Sequence, residues 1–137
     1  MFGYYQCGLT KTIGLDQLLI RWRAPSGNVR PAMLRVRFFR VRPDKIDRLR
    51  GWMEELSQRR EEVLETFAQE TVRHEAAWLM ETVEGTILVY AIEAEDLDQA
   101  QRAVEENPLP IDLEHRAVMD EVIEVPMELE QLLDEQA

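Results

Sequence analysis

Cysteine is nearly absent. Cys7 is the single one in 137 residues, which excludes an internal disulfide and a cysteine-based zinc site. Long apolar runs are missing too. Nothing approaches the roughly 18 consecutive apolar residues of a membrane span, and no basic start leads into a signal-peptide core, so a soluble cytoplasmic protein is the expectation. Histidine is limited to His74 and His115. A zinc site usually takes three or more protein ligands, so these two would need help from Glu75 or Asp112, and neither a metal nor another cofactor is expected. The chain also lacks a glycine-rich phosphate loop, a G-x-S-x-G elbow and an H-E-x-x-H helix.

Basic residues are scarce beyond the first segment. Residues 1–32 carry a charge of +3 and the rest −14, for a net −11. An acidic body of this kind repels a phosphate backbone, whose binding depends on Lys and Arg displacing counterions, so nucleic acid is not an expected partner. The first 32 residues also differ in composition, with one acid, four glycines and the Ala24-Pro25-Ser26-Gly27-Asn28 breaker. They read either as a flexible extension ahead of a domain starting at Met33, or as an arm whose Leu18, Leu19, Ile20 and Trp22 dock on an apolar surface. The remaining chain, 33–137, has the size of one small domain.

That domain reads strand, helix, strand, hairpin, strand, helix and closing strand. Leu34 to Arg42 is rich in β-formers, with Leu34, Val36 and Phe38 on one face and Phe39 and Val41 on the other. Pro43-Asp44 opens one long amphipathic helix to about Glu70, whose stripe is Ile46, Leu49, Met53, Leu56, Val63 and Phe67. Val72 to Thr82 alternates, placing Val72, His74, Ala76, Trp78 and Met80 together. Glu84-Gly85 turns the chain into Thr86 to Ala94, a strand apolar on both faces. Such a strand needs cover twice, which points to a second subunit or the arm. A helix from near Asp96 stops at Asn107-Pro108-Leu109-Pro110, and another runs from Ile111 to about Ile123. The tail after Pro126 is assigned to the closing strand, about 127–133. The order is that of an α+β, ferredoxin-like split βαββαβ fold, with an antiparallel sheet and helices on one face.

The runs Phe39-Arg40-Val41-Arg42-Pro43, Val63-Leu64-Glu65-Thr66, Arg73-His74-Glu75, Pro110-Ile111-Asp112-Leu113-Glu114-His115-Arg116 and Glu128-Leu129-Glu130-Gln131-Leu132-Leu133-Asp134 resemble a small bacterial family of unknown function. Its domain is similar to the dimeric α/β-barrel group of ferredoxin-like folds. The resemblance covers about residues 34–134, implies that the last run is the closing strand, and brings no activity, cofactor or catalytic residue. Asp44 departs from the glycine expected after the proline.

An architecture of this type carries catalysts, ligand binders and structural dimers alike. One reading is a small-molecule-binding or cofactor-independent enzyme domain. Its pocket is lined by Arg40, Trp78 and Tyr90 as ligand-binding residues and by His74 and His115 as catalytic ones, since histidine titrates near neutrality. A haem held through His115 would be a variant of it, as would a planar ligand against Trp78 and Tyr90. Adjacent residues on a strand point to opposite faces, and neighbours on a helix diverge by about 100°, so neither Glu75 nor Glu114 is placed to orient its neighbouring histidine. The other reading is a non-enzymatic homodimer whose apolar sheet face exists for association, with both histidines as structural residues. An open pocket at these five residues would favour the first, and solid packing the second.

Overall fold

The computed structural model describes residues 31–135. The expectations placed on the first segment, the docking arm of Leu18, Leu19, Ile20 and Trp22 and the thiol of Cys7 among them, lie outside the described residues. Alternating apolar residues form β1 (Met33–Val41), and Pro43 opens a short 3-10 turn that leads into α1 (Ile46–Gln58). The chain continues through α2 (Arg60–Glu70), the hairpin of β2 (Val72–Thr82) and β3 (Gly85–Ala94), then α3 (Leu97–Glu106), α4 (Pro110–Val122) and β4 (Ile123–Met127). The architecture is α+β, a four-stranded sheet in the order β2-β3-β1-β4 with every neighbouring pair antiparallel. Among the described residues, no helix is long and apolar enough to cross a membrane.

The register sorts the residues by face. Phe39 opposes Leu88, and Leu88 opposes Leu79. Phe39, Val41, Leu88, Tyr90 and Ile92 join Leu49, Trp52 and Leu56 of α1 and Ile111, Val118, Met119 and Val122 of α4 in one core. The other face carries Leu34, Val36, Phe38, Ala76, Trp78, Met80, Val89, Ala91, Val125 and Met127. On that face Leu34 is 65% and Trp78 52% exposed. The strand apolar on both faces is thus β3, buried by helices on one side and open on the other.

Three local expectations are corrected. The long helix breaks at Arg59, which adopts φ −96° and ψ 38°; no proline or glycine marks the break, so periodicity reads through it. The Arg59 guanidinium donates to Glu55, Glu62 and Glu114, with the shortest contacts at 2.7 Å, and thereby ties α1, α2 and α4 together. The closing strand lies at 123–127 rather than 127–133, and residues 128–135 form neither helix nor strand. Pro126 sits inside it, opposite Phe39. This is tolerated because β4 is an edge strand, where a missing N–H breaks no ladder. The third correction is in β2, whose register shifts between Val72 and His74. This irregularity at Arg73 leaves Val72 in the core and puts His74, Ala76, Trp78 and Met80 on the open face, instead of all five together.

Helix α3 starts on a capping residue, Asp96, whose side chain accepts from the backbone N–H groups of Asp98 and Gln99, both at 2.9 Å. Asp96→Ala is expected to lower stability by about 1 kcal/mol, the usual worth of such a cap. Urea unfolding measures it, and a midpoint equal to wild type would contradict the assignment.

Candidate functional site

The helix-facing side of the sheet is not apolar along its whole length. The row through Phe39 and Leu88 is hydrophobic, but the next row places Arg37 opposite Tyr90 and Tyr90 opposite Ala77. The following one places Arg35 opposite Ile92 and Ile92 opposite Glu75. At this end α2 finishes with Glu70, 2% exposed, and α4 begins with Asp112, also 2% exposed. Local sequence accounts for both positions. Pro110 occupies the first turn of α4, where its missing N–H costs nothing, and the Asp112 carboxylate accepts from the backbone N–H of Leu109 at 2.8 Å. Glu70 precedes Thr71, a non-glycine residue at φ 58°. Its backbone carbonyl accepts from the Glu95 N–H at 3.0 Å, and this holds the turn against the start of α3.

Burial pushes Glu70 up to about 7, and Glu75 and Asp112 act in the same direction. Burial also raises Glu75; Asp112 adds to the rise, while the Tyr90 hydroxyl and His74 oppose it. Glu70 thus holds its proton through pH values at which an exposed carboxyl has lost it, and can exchange it near neutrality.

His115 lies deeper, fully buried among Ile111, Val118 and Val122. The Trp52 indole N–H donates to its Nδ1 at 2.8 Å, with the ring centroids 6.0 Å apart. Nδ1 is therefore the acceptor and Nε2 carries the proton. Burial pushes the imidazole down to about 3 and keeps it neutral. Glu114 turns away from His115 and binds Arg59, as the helical geometry requires.

The five residues expected to share one pocket do not meet within the chain. Tyr90 and His115 lie on the helix side, whereas His74, Trp78 and Arg40 lie on the open side, His74 opposite Glu93 and Arg40 opposite Ile87. A one-residue offset decides the face: Tyr90 pairs with Ala77, and Trp78 with Val89. Arg40 reaches Glu84 of the hairpin turn at 3.9 Å. A groove of about 210 Å³ runs between α1 and the edge strand, lined by Leu49, Arg50, Met53, Ala77, Trp78, Leu79 and Leu88. The polar end formed by Arg35, Arg37, Glu70, Glu75 and Asp112 was not assembled from sequence. One signal was available: Arg35 and Arg37 alternate in phase with the core residues Phe39 and Val41, an unusual place for charge.

The direction of pH dependence follows. Below about 6.5 the unfolded chain protonates His115, while the folded chain refuses that proton down to about 3, so this contribution to stability is lost as pH falls through that window. Glu70 acts in the opposite sense. Its proton is held up to about 7 against 4.5 for the unfolded group, and its contribution is lost as pH rises between those values. His115→Asn keeps an acceptor for Trp52 without a titrating ring, so its stability is expected to fall less steeply than that of wild type from pH 6.5 to 4. Chemical denaturation at several pH values checks this, and parallel curves would refute it.

Comparison with known proteins adds one relation. No curated protein and no solved structure matches the chain. One family model does match, over residues 33–137, and it is described as a family of unknown function. Over these residues, which hold the helical layer and the open apolar sheet, the chain belongs to the family of unknown function DUF6176.

Proposed function

We propose that the domain is a self-association module, a homodimer in which the open faces of two sheets pack together. One observation carries this reading: the face opposite the helices is an apolar surface with a polar margin. Its middle rows hold Val36, Ala91 and Ala76, then Met127, Phe38, Val89 and Trp78; charge enters at its two ends, with Arg40 at one and His74 with Glu93 at the other. An apolar centre with a polar rim is the anatomy of a protein interface.

A second copy is the occupant the surface favours. Four strands at about 4.8 Å spacing and seven residues at about 3.3 Å give a flat area of about 450 Å². Two such faces with their side chains reach about 1,000 Å², where specific interfaces begin. Two copies of net charge −11 repel elsewhere, and this face offers them contact without like charges at its centre. Packing with the strands reversed brings Arg40 of one copy toward Glu93 of the other. Arg40 has a buried Nε with no hydrogen-bond partner among the described residues.

The ferredoxin-like reading and the likeness to dimeric α/β-barrel proteins belong to the same proposal. They are supported by β3 lying between β1 and β2, antiparallel to both, as a split βαβ unit requires. The catalytic pairing of His74 with His115 is not carried forward, because the two flank opposite sides of the sheet.

Sedimentation velocity at micromolar concentration is expected to give a species of twice the 16.1 kDa chain. Trp78→Glu should shift it to monomer, with the far-UV dichroism unchanged. A wild-type monomer at tens of micromolar, or a Trp78→Glu variant that stays dimeric, would overturn the proposal.

A further inference from the structure

We infer that residues 15–22 of this chain dock on the groove between α1 and β2, with the Trp22 ring inside it and Leu18 and Leu19 along its rim. The segment lies outside the described residues, and the shape, charge and position of the groove select it. The groove holds about 210 Å³ and is walled by Leu49 and Met53 of α1 and by Ala77 and Leu79 of β2, with Leu88 of β3 behind them. Ala77 and Trp78 are exposed there, and Met53 and Leu79 are half-buried, so the margin of the sheet leaves apolar surface in water. A cavity of about 150 Å³ takes a benzene ring, so this groove has room for one large side chain. An occupant with a single aromatic anchor and smaller apolar neighbours matches it.

Charge narrows the choice. Among the described residues, Arg50 is the one base in the lining, and it already binds Asp47 at 3.1 Å. Glu54 follows one turn later in α1, and Glu81 lies two residues beyond Leu79 in β2. Three acids against one base favour a cationic partner. Residues 1–32 carry a charge of +3, and Trp22 stands between Arg21 and Arg23. Leu15, Leu18, Leu19 and Trp22 also have the i, i+3, i+4, i+7 spacing by which an amphipathic helix lays its apolar face on a groove. Reach agrees. Met33 pairs with Ala94, six residues along and two strands across from Leu79, a separation of about 22 Å. Residues 23–32 cover up to about 33 Å when extended, which brings Trp22 to the groove of its own chain. This inference does not depend on self-association.

The test uses the full chain carrying Cys7→Ser and Gln17→Cys, which sets a nitroxide spin label on the side of the segment opposite the stripe. The amide NMR signals of Met53, Ala77 and Leu79 are expected to lose most of their intensity and to regain it when the nitroxide is reduced. Leu19→Asp, on the stripe, should remove this broadening and lower the melting temperature by several degrees. Ile20→Asp, about 100° away around the helix, should do neither. Both substitutions precede β1 and touch no residue of the core. On the groove side, Ala77→Arg at an exposed strand position should also remove the broadening. Undiminished signals at Met53, Ala77 and Leu79, equal effects of Leu19→Asp and Ile20→Asp, or broadening that persists in Ala77→Arg would each overturn the inference. So would the same broadening in a mixture of spin-labelled chain with isotope-labelled chain that carries no nitroxide, which puts the segment in the groove of a second copy.

Discussion

The hydrogen bond from Trp52 to His115 is the contact around which the helical layer is organised. It is buried, 63 residues apart in sequence, and it joins α1 to α4 across the core. Its geometry selects one tautomer, so a rotation of either ring would leave a polar atom enclosed without its partner, at a cost of about 1–3 kcal/mol. Arg59 packs over the Trp52 ring at 6.0 Å and closes the arrangement from outside. Its contact with Glu114 draws the residue before His115 in α4 to the same point. Helices fixed by a directional bond hold a sheet more precisely than helices held by hydrophobic burial alone, which has no preferred orientation.

Much of this frame could be read from the chain. A period of two over 34–42, 72–82 and 86–94 marked three strands within a residue or two of where they lie, because alternation is a local property. What failed was set by distant partners. Arg59 breaks a helix whose own sequence would continue it, since its carboxylate partners include one in α4. Pro126 reads as a terminator until the strand is known to lie at an edge. The irregularity at Arg73 reverses the facing of Val72 relative to His74, and alternation alone cannot reveal an inserted residue.

The candidate site was harder still. His74 and His115 attracted notice because histidine is rare here, yet rarity is a property of composition and says nothing of proximity. The residues that do gather, Glu70, Glu75 and Asp112, are common types in an acidic chain, and Glu75 and Asp112 drew notice only as helpers a two-histidine zinc site would need. Only the pairing of Glu75 with Ile92, itself a core residue, shows that one of many glutamates points inward. The two faces of the sheet thus differ in kind. One is enclosed and carries its polar groups at one end; the other is apolar at the centre and open.

Pro126 has a consequence for assembly at the margin of the sheet. An edge strand with regularly spaced donors can template another strand, and repeated addition of that kind leads to fibres. In β4 the pyrrolidine nitrogen interrupts the donor row after three residues, and the strand ends at Met127. The opposite margin, β2, is disrupted near its start by the register shift at Arg73 and ends in Glu81 and Thr82. Lateral growth is therefore interrupted on both sides, and the sheet keeps its four-strand width even though it carries a broad water-facing apolar surface.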